Sequence, residues 1–314
     1  MSAPRRPPRR RVDGVLLLDK PAHLSSNAAL QRVRRLYGAE KAGHAGTLDP
    51  LASGLLPICL GAATRFAQFL LDARKRYVAT VRFGITTTTQ DAEGEVVLAR
   101  PVALDREALA AALSRFLGPQ MQTPPAHSAL KFEGRPYYEY ARRGIEIPRA
   151  PREVTIHAWR LLEWSPPDAT LDVECSKGTY VRTLAADLGE ALGCGAHLAA
   201  LRRTASGGFD VADAATLDAL AAMSDEARTA LLRPVSILVA HLPRLDLAAT
   251  EAAGFLQGRA VAVPVITEGR DARLHAVFGP DGLLGVADVR EGLVHPRRVM
   301  PAGSPSTRRS EAAA

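Results

Sequence analysis

The order of the hydrophobic periods is the strongest constraint on how this chain folds. Tyr77, Ala79, Val81 and Phe83 alternate with Val78, Thr80 and Arg82, the period of two that a half-buried strand needs, and Leu171, Val173 and Cys175 repeat it. Other stretches carry a helical period: Leu30, Val33 and Leu36 follow the cap candidates Ser25, Ser26 and Asn27, and Leu109, Ala112, Leu113 and Phe116 follow Asp105. The two periods succeed one another without the regular strand–helix–strand rhythm of a doubly wound sheet. This order predicts an α+β fold with a mixed, largely antiparallel central sheet flanked by helices.

Further strands are expected at 15–18, 55–60, 154–163, 170–176 and 198–203, and helices at 64–71, 138–143 and 179–193, the last stopped by Gly193. Ala-rich helical stretches reach about residue 232, residues 234–243 read as a linker, and short strands are expected at 259–266, 274–278, 284–289 and 294–300. The expected division is a disordered tail over 1–12, a main domain over 13–240, a small β module over 244–303 and a second disordered tail over 304–314.

Charge and cysteine content narrow the function classes. Lys and Arg number 40 against 33 Asp and Glu, but Arg5, Arg6, Arg9, Arg10 and Arg11 lie in the first dozen residues, so the rest of the chain is nearly balanced. Arginine greatly outnumbers lysine, and a planar guanidinium fork suits phosphate and base stacking, so a nucleic acid is a plausible partner. Cys59, Cys175 and Cys194 are odd in number, and the close pair Cys194 and His197 has no second pair to complete a tetrahedral zinc site. A reducing cytoplasm fits that usage. The apolar runs fall far short of the roughly 18 residues a membrane span needs, so no membrane partner is expected.

One loop stands out for chemistry: Gly43-His44-Ala45-Gly46-Thr47-Leu48-Asp49-Pro50-Leu51-Ala52-Ser53-Gly54. The glycines allow close backbone approaches, and Pro50 stiffens the turn directly after the single carboxylate. Two readings of Asp49 stay open on these residues alone: an Asx-turn that only bonds nearby N–H groups, or a carboxylate presented for nucleophilic or acid/base work. The loop has neither a Walker A lysine nor a Gly-x-Gly-x-x-Gly run, which removes support for a nucleotide cofactor.

Several segments in order resemble one family. They are Gly14-Val15-Leu16-Leu17-Leu18-Asp19-Lys20-Pro21, the loop block through Gly61, Lys75-Arg76-Tyr77, residues 88–94, Gln122-Thr123-Pro124-Pro125 with Ser128-Ala129-Leu130-Lys131, Tyr138-Glu139-Tyr140-Ala141-Arg142, Cys175-Ser176-Lys177-Gly178-Thr179-Tyr180-Val181-Arg182-Thr183, and Gly193-Cys194-Gly195-Ala196-His197 with Leu201-Arg202-Arg203. Together they resemble the bacterial tRNA pseudouridine-55 synthases, over roughly residues 13–210.

The resemblance implies isomerisation of a T-loop uridine of tRNA, with the base flipped into a pocket, and needs no metal and no other cofactor. It makes Asp49 the catalytic group, Tyr77 the ring that stacks on the extruded base, and Arg182 the partner that holds Asp49 ionised. It puts His44, Lys20, Tyr180, Leu201, Arg202 and Lys131 at the substrate. Residues 122–152 correspond to a segment that clasps the T-loop, and 244–303 to a PUA-like module. His127 stands where the family commonly has tyrosine. Arg32, Arg34, Arg35, Arg65, Arg202 and Arg203 are candidate phosphate contacts. No protein partner is implied and a monomer is expected. A second reading makes the chain a tRNA-refolding chaperone with isomerisation secondary. A nucleoside glycosidase is disfavoured, because such enzymes use paired carboxylates.

Overall fold

The computed structural model describes residues 9–262, 274–290 and 292–301. The chain begins with β1 (Gly14–Lys20), α1 (Ser26–Leu36), β2 (Ala42–His44), β3 (Ser53–Leu60), a 3-10 turn (Gly61–Arg65), α2 (Gln68–Leu71) and β4 (Lys75–Phe83). A side hairpin, β5 (Ile85–Thr87) with β6 (Val96–Ala99), leads to α3 (Arg106–Arg115) and β7 (Gly118–Gln122). Then come β8 (Lys131–Phe132), β9 (Arg135–Pro136), α4 (Tyr137–Ala141), β10 (Arg152–Ser165), β11 (Asp168–Cys175), α5 (Val181–Ala191) and β12 (Ala196–Ser206). The main body ends with β13 (Phe209–Asp210), β14 (Ala215–Thr216), α6 (Leu217–Ala222) and α7 (Asp225–Ala230).

The central sheet runs β14-β1-β3-β12-β4-β11-β10-β7, with β2 and β13 attached to β3 and β12. Its pairs are antiparallel except β1 with β14 and β3 with β12, so the expected mixed, largely antiparallel α+β sheet is what forms. The alternation read from sequence is the core alternation: in β4, residues 77, 79, 81 and 83 are buried while Arg76 and Arg82 are exposed. Those two arginines pair across to Asp172 and Asp168 of β11. Helices α1, α3 and α5 cover this face with Leu30, Val33, Leu109, Leu113, Leu184 and Leu188.

Ser25 caps α1 by accepting from the Ala28 N–H, and Asp105 caps α3 in the same way. The apolar stretch 64–71, expected as one helix, forms instead the 3-10 turn and the short α2, because Phe66 and Leu70 must both reach a second core beneath β1 and β3.

The C-terminal part holds β15 (Arg244–Asp246), α8 (Ala249–Leu256), β16 (Val261–Ala262), β17 (Leu274–Gly279), β18 (Gly282–Arg290) and β19 (Leu293–Val299), in sheet order β15-β17-β18-β19-β16. Helix α8 is a departure from the all-strand expectation. It forms because Ala252 and Phe255 fill the small core against Val277, Ala287 and Val294. The second half of the strand expected at 259–266, the tail expected over 304–314 and the first eight residues of the N-terminal tail lie outside the described residues. Arg10 pairs with the turn after α1 through Gly38 and Glu40.

Where β3 runs parallel to β12, the backbones approach so closely that only glycine fits. A Cβ on Gly54 would stand 2.3 Å from the Arg203 carbonyl oxygen, at a φ of +99°. Gly54→Ala is therefore expected to cost roughly 2–5 kcal/mol, because backbone strain and overpacking act together. A urea unfolding midpoint equal to wild type would refute that.

Candidate active site

The site is built where the loop between β2 and β3 meets the first turn of α5. Four contacts hold the loop. The Ser26 hydroxyl donates to the Leu48 carbonyl (2.7 Å) and accepts from the Leu48 N–H (2.8 Å), His23 N–H donates to Pro50 O (2.7 Å), and Ala45 N–H donates to Pro57 O (3.0 Å). Asp49 sits on this clamped segment with its side chain 38 % exposed, open to solvent on one side and enclosed by protein on the others. Among the described residues no backbone N–H donates to its carboxylate, so the Asx-turn reading does not hold.

Its partner is Arg182, whose Nε lies 2.8 Å from Asp49 Oδ2 in a close ion pair, although the Nε–H is not aligned for a hydrogen bond. Arg182 is 3 % exposed and stands in the first turn of α5, where the helix dipole disfavours a cation. Fixed acceptors offset that cost: Nη1 donates to Thr89 O (3.0 Å), Nη2 donates to His127 O (2.9 Å), and Asp91 Oδ2 lies 3.5 Å from Nε. Position 127 thus serves through its carbonyl, which makes histidine in place of tyrosine harmless to this contact.

Asp91 is the residue the sequence reading missed. It lies within the quoted 88–94 segment, buried and held by the Thr89 hydroxyl and the Glu93 N–H, and only the fold brings it to Arg182.

Burial pushes the Asp49 carboxyl above the usual carboxylate range, Asp91 adds to that, and Arg182 and Lys20 only partly oppose it. Arg182 thus favours the ionised carboxylate, as expected of it, against a larger opposing effect of burial. If the ionised carboxyl is the working form, the rate rises with pH through a limb above the ordinary aspartate value of about 3.9. A kcat/KM profile flat from pH 5 upward would mean that Arg182 wins instead.

Tyr77 lies in β4, buried, with Arg203 of β12 opposite it on one side and Val173 of β11 on the other. Burial drives its phenol up to about 12, so it is neutral at pH 7. Leu201 lies two residues before Arg203, 8 % exposed, in the same core as Tyr77. Tyr180 precedes α5 and is locked by Gln122, which accepts from its N–H (2.8 Å) and donates to its carbonyl (3.1 Å); its phenol feels the Asp49 charge. Lys20 is fully buried and donates to Pro21 O and Leu24 O; burial lowers it to about 8 while Asp49 opposes the shift. His44, in β2, keeps a buried Nδ1 without a partner, and burial lowers its pKa.

Three further expected contacts have these surroundings. Lys131 is exposed on the β8–β9 hairpin. Arg202 is paired bidentately with Asp19 (3.0 and 2.7 Å). Arg203, expected at a phosphate, is 1 % exposed with its guanidinium turned inward. Among the described residues no group of three or more His, Cys, Asp or Glu side chains could hold a metal.

The chain matches three consecutive family models: TruB family pseudouridylate synthase (N terminal domain) over residues 34–181, tRNA pseudouridylate synthase B C-terminal domain over 182–240, and Pseudouridine synthase II TruB, C-terminal, over 243–300. A protein of Cupriavidus metallidurans named tRNA pseudouridine synthase B is 55% identical over 304 residues, 95% of this chain and 97% of its own length. This chain belongs to the TruB family of pseudouridylate synthases.

A synthase of the same name from Chromobacterium violaceum is 58% identical over 261 residues, 83% of this chain and 85% of its own. Among solved structures, the archaeal box H/ACA sRNP Nop10-Cbf5 complex matches with a TM-score of 0.73 at 26% identity, covering 95% of this chain and 89% of that one. An H/ACA RNP bound to a substrate RNA containing 2'-deoxyuridine matches with a TM-score of 0.70 at 26% identity, covering 92% and 85%. The TruB chain is accordingly an enzyme that isomerises uridine to pseudouridine. Among its described residues no helix is long and apolar enough to cross a membrane.

Proposed function

We propose that this synthase converts the T-loop uridine at position 55 of tRNA to pseudouridine, with Asp49 as its catalytic carboxylate. The observation that carries the proposal is the Asp49–Arg182 pair: an accessible carboxylate on a clamped loop, 2.8 Å from a buried arginine, on a sheet that also carries Tyr77. The tRNA substrate is supported by the names of relatives more than half identical to this chain.

The reaction is an isomerisation. The N1–C1′ bond breaks, the base turns while held, C5 bonds C1′, the C5 proton leaves and N1 gains one, so neither an electron acceptor nor a second substrate is consumed. Asp49 acts at C1′, at C6, or by assisting elimination to a glycal. The reacting bond lies inside a folded loop, so the nucleotide is flipped out and its base stacks on Tyr77, beside Leu201 and Tyr180. A neutral phenol at that position gives a flat surface without a competing charge.

Residues 122–152 clasp the T-loop. They carry Lys131, Arg135, Arg142, Arg143, Arg149 and Arg152 against Glu133, Glu139 and Glu146, which gives Lys131 a role in RNA binding away from the catalytic centre. His44 and Lys20 line the substrate side of the loop. The catalytic domain spans 13–240 and the PUA-like module 244–303, and the synthase works as a monomer in the cytoplasm, where the free, buried Cys59, Cys175 and Cys194 stay reduced.

The test is tritium release from an unmodified tRNA transcript carrying C5-labelled uridine, beside the same transcript with cytidine in place of the target uridine, with filter binding of both. Release only from the first transcript is the expected result. Tight binding of both transcripts without release from either would sink the enzyme assignment and leave the refolding reading.

A further inference from the structure

Arg203 is the largest of the fully buried side chains, and it is charged. A buried guanidinium is ordinarily matched to a carboxylate, yet among the described residues no carboxylate comes within 4.0 Å of it. Its contacts are three carbonyl oxygens: Nε donates to Leu55 O (2.7 Å), Nη2 to Gly46 O (3.1 Å) and Nη1 to Thr47 O (3.4 Å). Gly46 and Thr47 lie three and two residues before Asp49, and Leu55 lies just past the far end of the loop. One rigid fork therefore pins both feet of the catalytic loop to β12.

Gly46 lies directly against this guanidinium. It has a φ of +97°, and a Cβ there would stand 3.5 Å from Arg203 Nη1 and 3.8 Å from Lys75 Cε. The loop thus lies over the Arg203 guanidinium and beside the buried stem of Lys75, whose ammonium donates to Leu71 O and Ala73 O. Lys75 sheds part of its charge, since burial and Arg203 lower it to about 8, but a guanidinium keeps its charge. Arg203 is also directly opposite Tyr77 in strand register; Cys175 and Asp49 are the other titratable groups that act on that phenol.

We propose that Arg203 is a positioning residue for the isomerisation, fixing the loop that presents Asp49 and holding a permanent positive charge beside Tyr77 across the strand pair. An apolar side chain of the same length would fill the space more cheaply than an unpaired buried cation, so its placement here is explained by the loop it holds and the phenol beside it. The inference rests on the assignment of Asp49 and Tyr77 above.

The experiment compares full-length wild type, Arg203→Lys and Arg203→Met on the unmodified tRNA transcript, reading three quantities: the single-turnover rate at saturating protein, the Kd for tRNA and the urea unfolding midpoint. A loop shifted by a fraction of an ångström loses rate but not surface charge. Arg203→Met should thus slow the step at least ~100-fold while Kd stays within about threefold. Arg203→Lys keeps the charge but cannot reach three carbonyls at once, so its rate should fall between wild type and Arg203→Met, again at unchanged Kd. Millimolar methylguanidinium should restore part of the rate to Arg203→Ala and none to Arg182→Ala.

A folded Arg203→Lys or Arg203→Met with wild-type rate overturns the proposal. So does a rate that falls only in step with Kd or with the unfolded fraction, as a purely structural role requires. If Arg203→Met does not fold, Arg203→Lys decides alone by the same two criteria. A wild-type protein that binds tRNA and releases no tritium would instead defeat the assignment of Asp49, whatever the Arg203 variants do.

Discussion

Asp49→Asn is expected to bind the tRNA transcript as wild type does and to release no measurable tritium, a loss of at least ~10⁴-fold, because the substituted amide can neither attack nor carry a proton. Its stability should move the other way. Burial raises the Asp49 carboxyl pKa in the fold, so the native state holds that proton more tightly than the unfolded chain does. Below both values the group contributes nothing; as pH rises through the window between the unfolded and the folded value, the fold loses stability, and it carries that cost at neutral pH. Asp49→Asn removes the cost, so its urea midpoint at pH 7.5 should equal or exceed that of wild type. A variant that is inactive because it is unfolded, or one that keeps a tenth of the activity, would contradict this account.

The second large effect is expected from Arg182→Met. It leaves the Thr89 and His127 carbonyls without their donor and sets Asp91, buried, beside Asp49 with no cation between them. Breaking a buried ion pair from one side costs about 3–5 kcal/mol, and the half-open Asp49 places this case at the low end. The rate should fall at least ~10³-fold, since both the orientation and the electrostatic support of Asp49 are lost. With Arg182 gone the Asp49 carboxyl rises further, so the fold binds its proton more tightly still. The stability gap to wild type should then narrow as pH falls from 8 to 5. A gap that widens toward acid would mean that Arg182 chiefly serves some other contact. Asp49→Asn and Arg182→Met thus separate two parts of one pair: the first costs catalysis alone, the second catalysis and stability together.

The local elements were legible because each rests on neighbours in sequence. The alternation of residues 77–83 reads as a half-buried strand, Ser25 stands among three neighbouring cap candidates and Asp105 before an apolar helical period, and the glycines of residues 43–54 mark a loop with close backbone contacts. Elements whose reason is distant were missed. The break between the 3-10 turn and α2 comes from a second core that Phe66 and Leu70 must reach, and α8 exists because Phe255 has a sheet to lie on.

The candidate site divides in the same way. Asp49, Tyr77 and Arg182 could be named from the resemblance, and the fold brings Arg182 from 133 residues away to within 2.8 Å of Asp49. Arg202 and Arg203 show what charge counting cannot supply. Neighbours in sequence, they sit on opposite faces of β12, where one pairs with Asp19 at the surface and the other is sealed under the loop that carries Asp49. Asp91 is the same lesson in reverse, a carboxylate in a marked segment whose partner is set by the bridge between its loop and β12 at Leu198.

The sequence by itself determined the fold class and the glycine- and proline-marked loop that holds Asp49, because periodicity, glycine and proline act over a few residues, while the roles expected of Asp49, Tyr77 and Arg182 came from the resemblance. Only the tertiary structure decided which cations serve that carboxylate and whether burial or charge governs its proton, because both depend on groups that share a strand edge or a helix end rather than a stretch of chain.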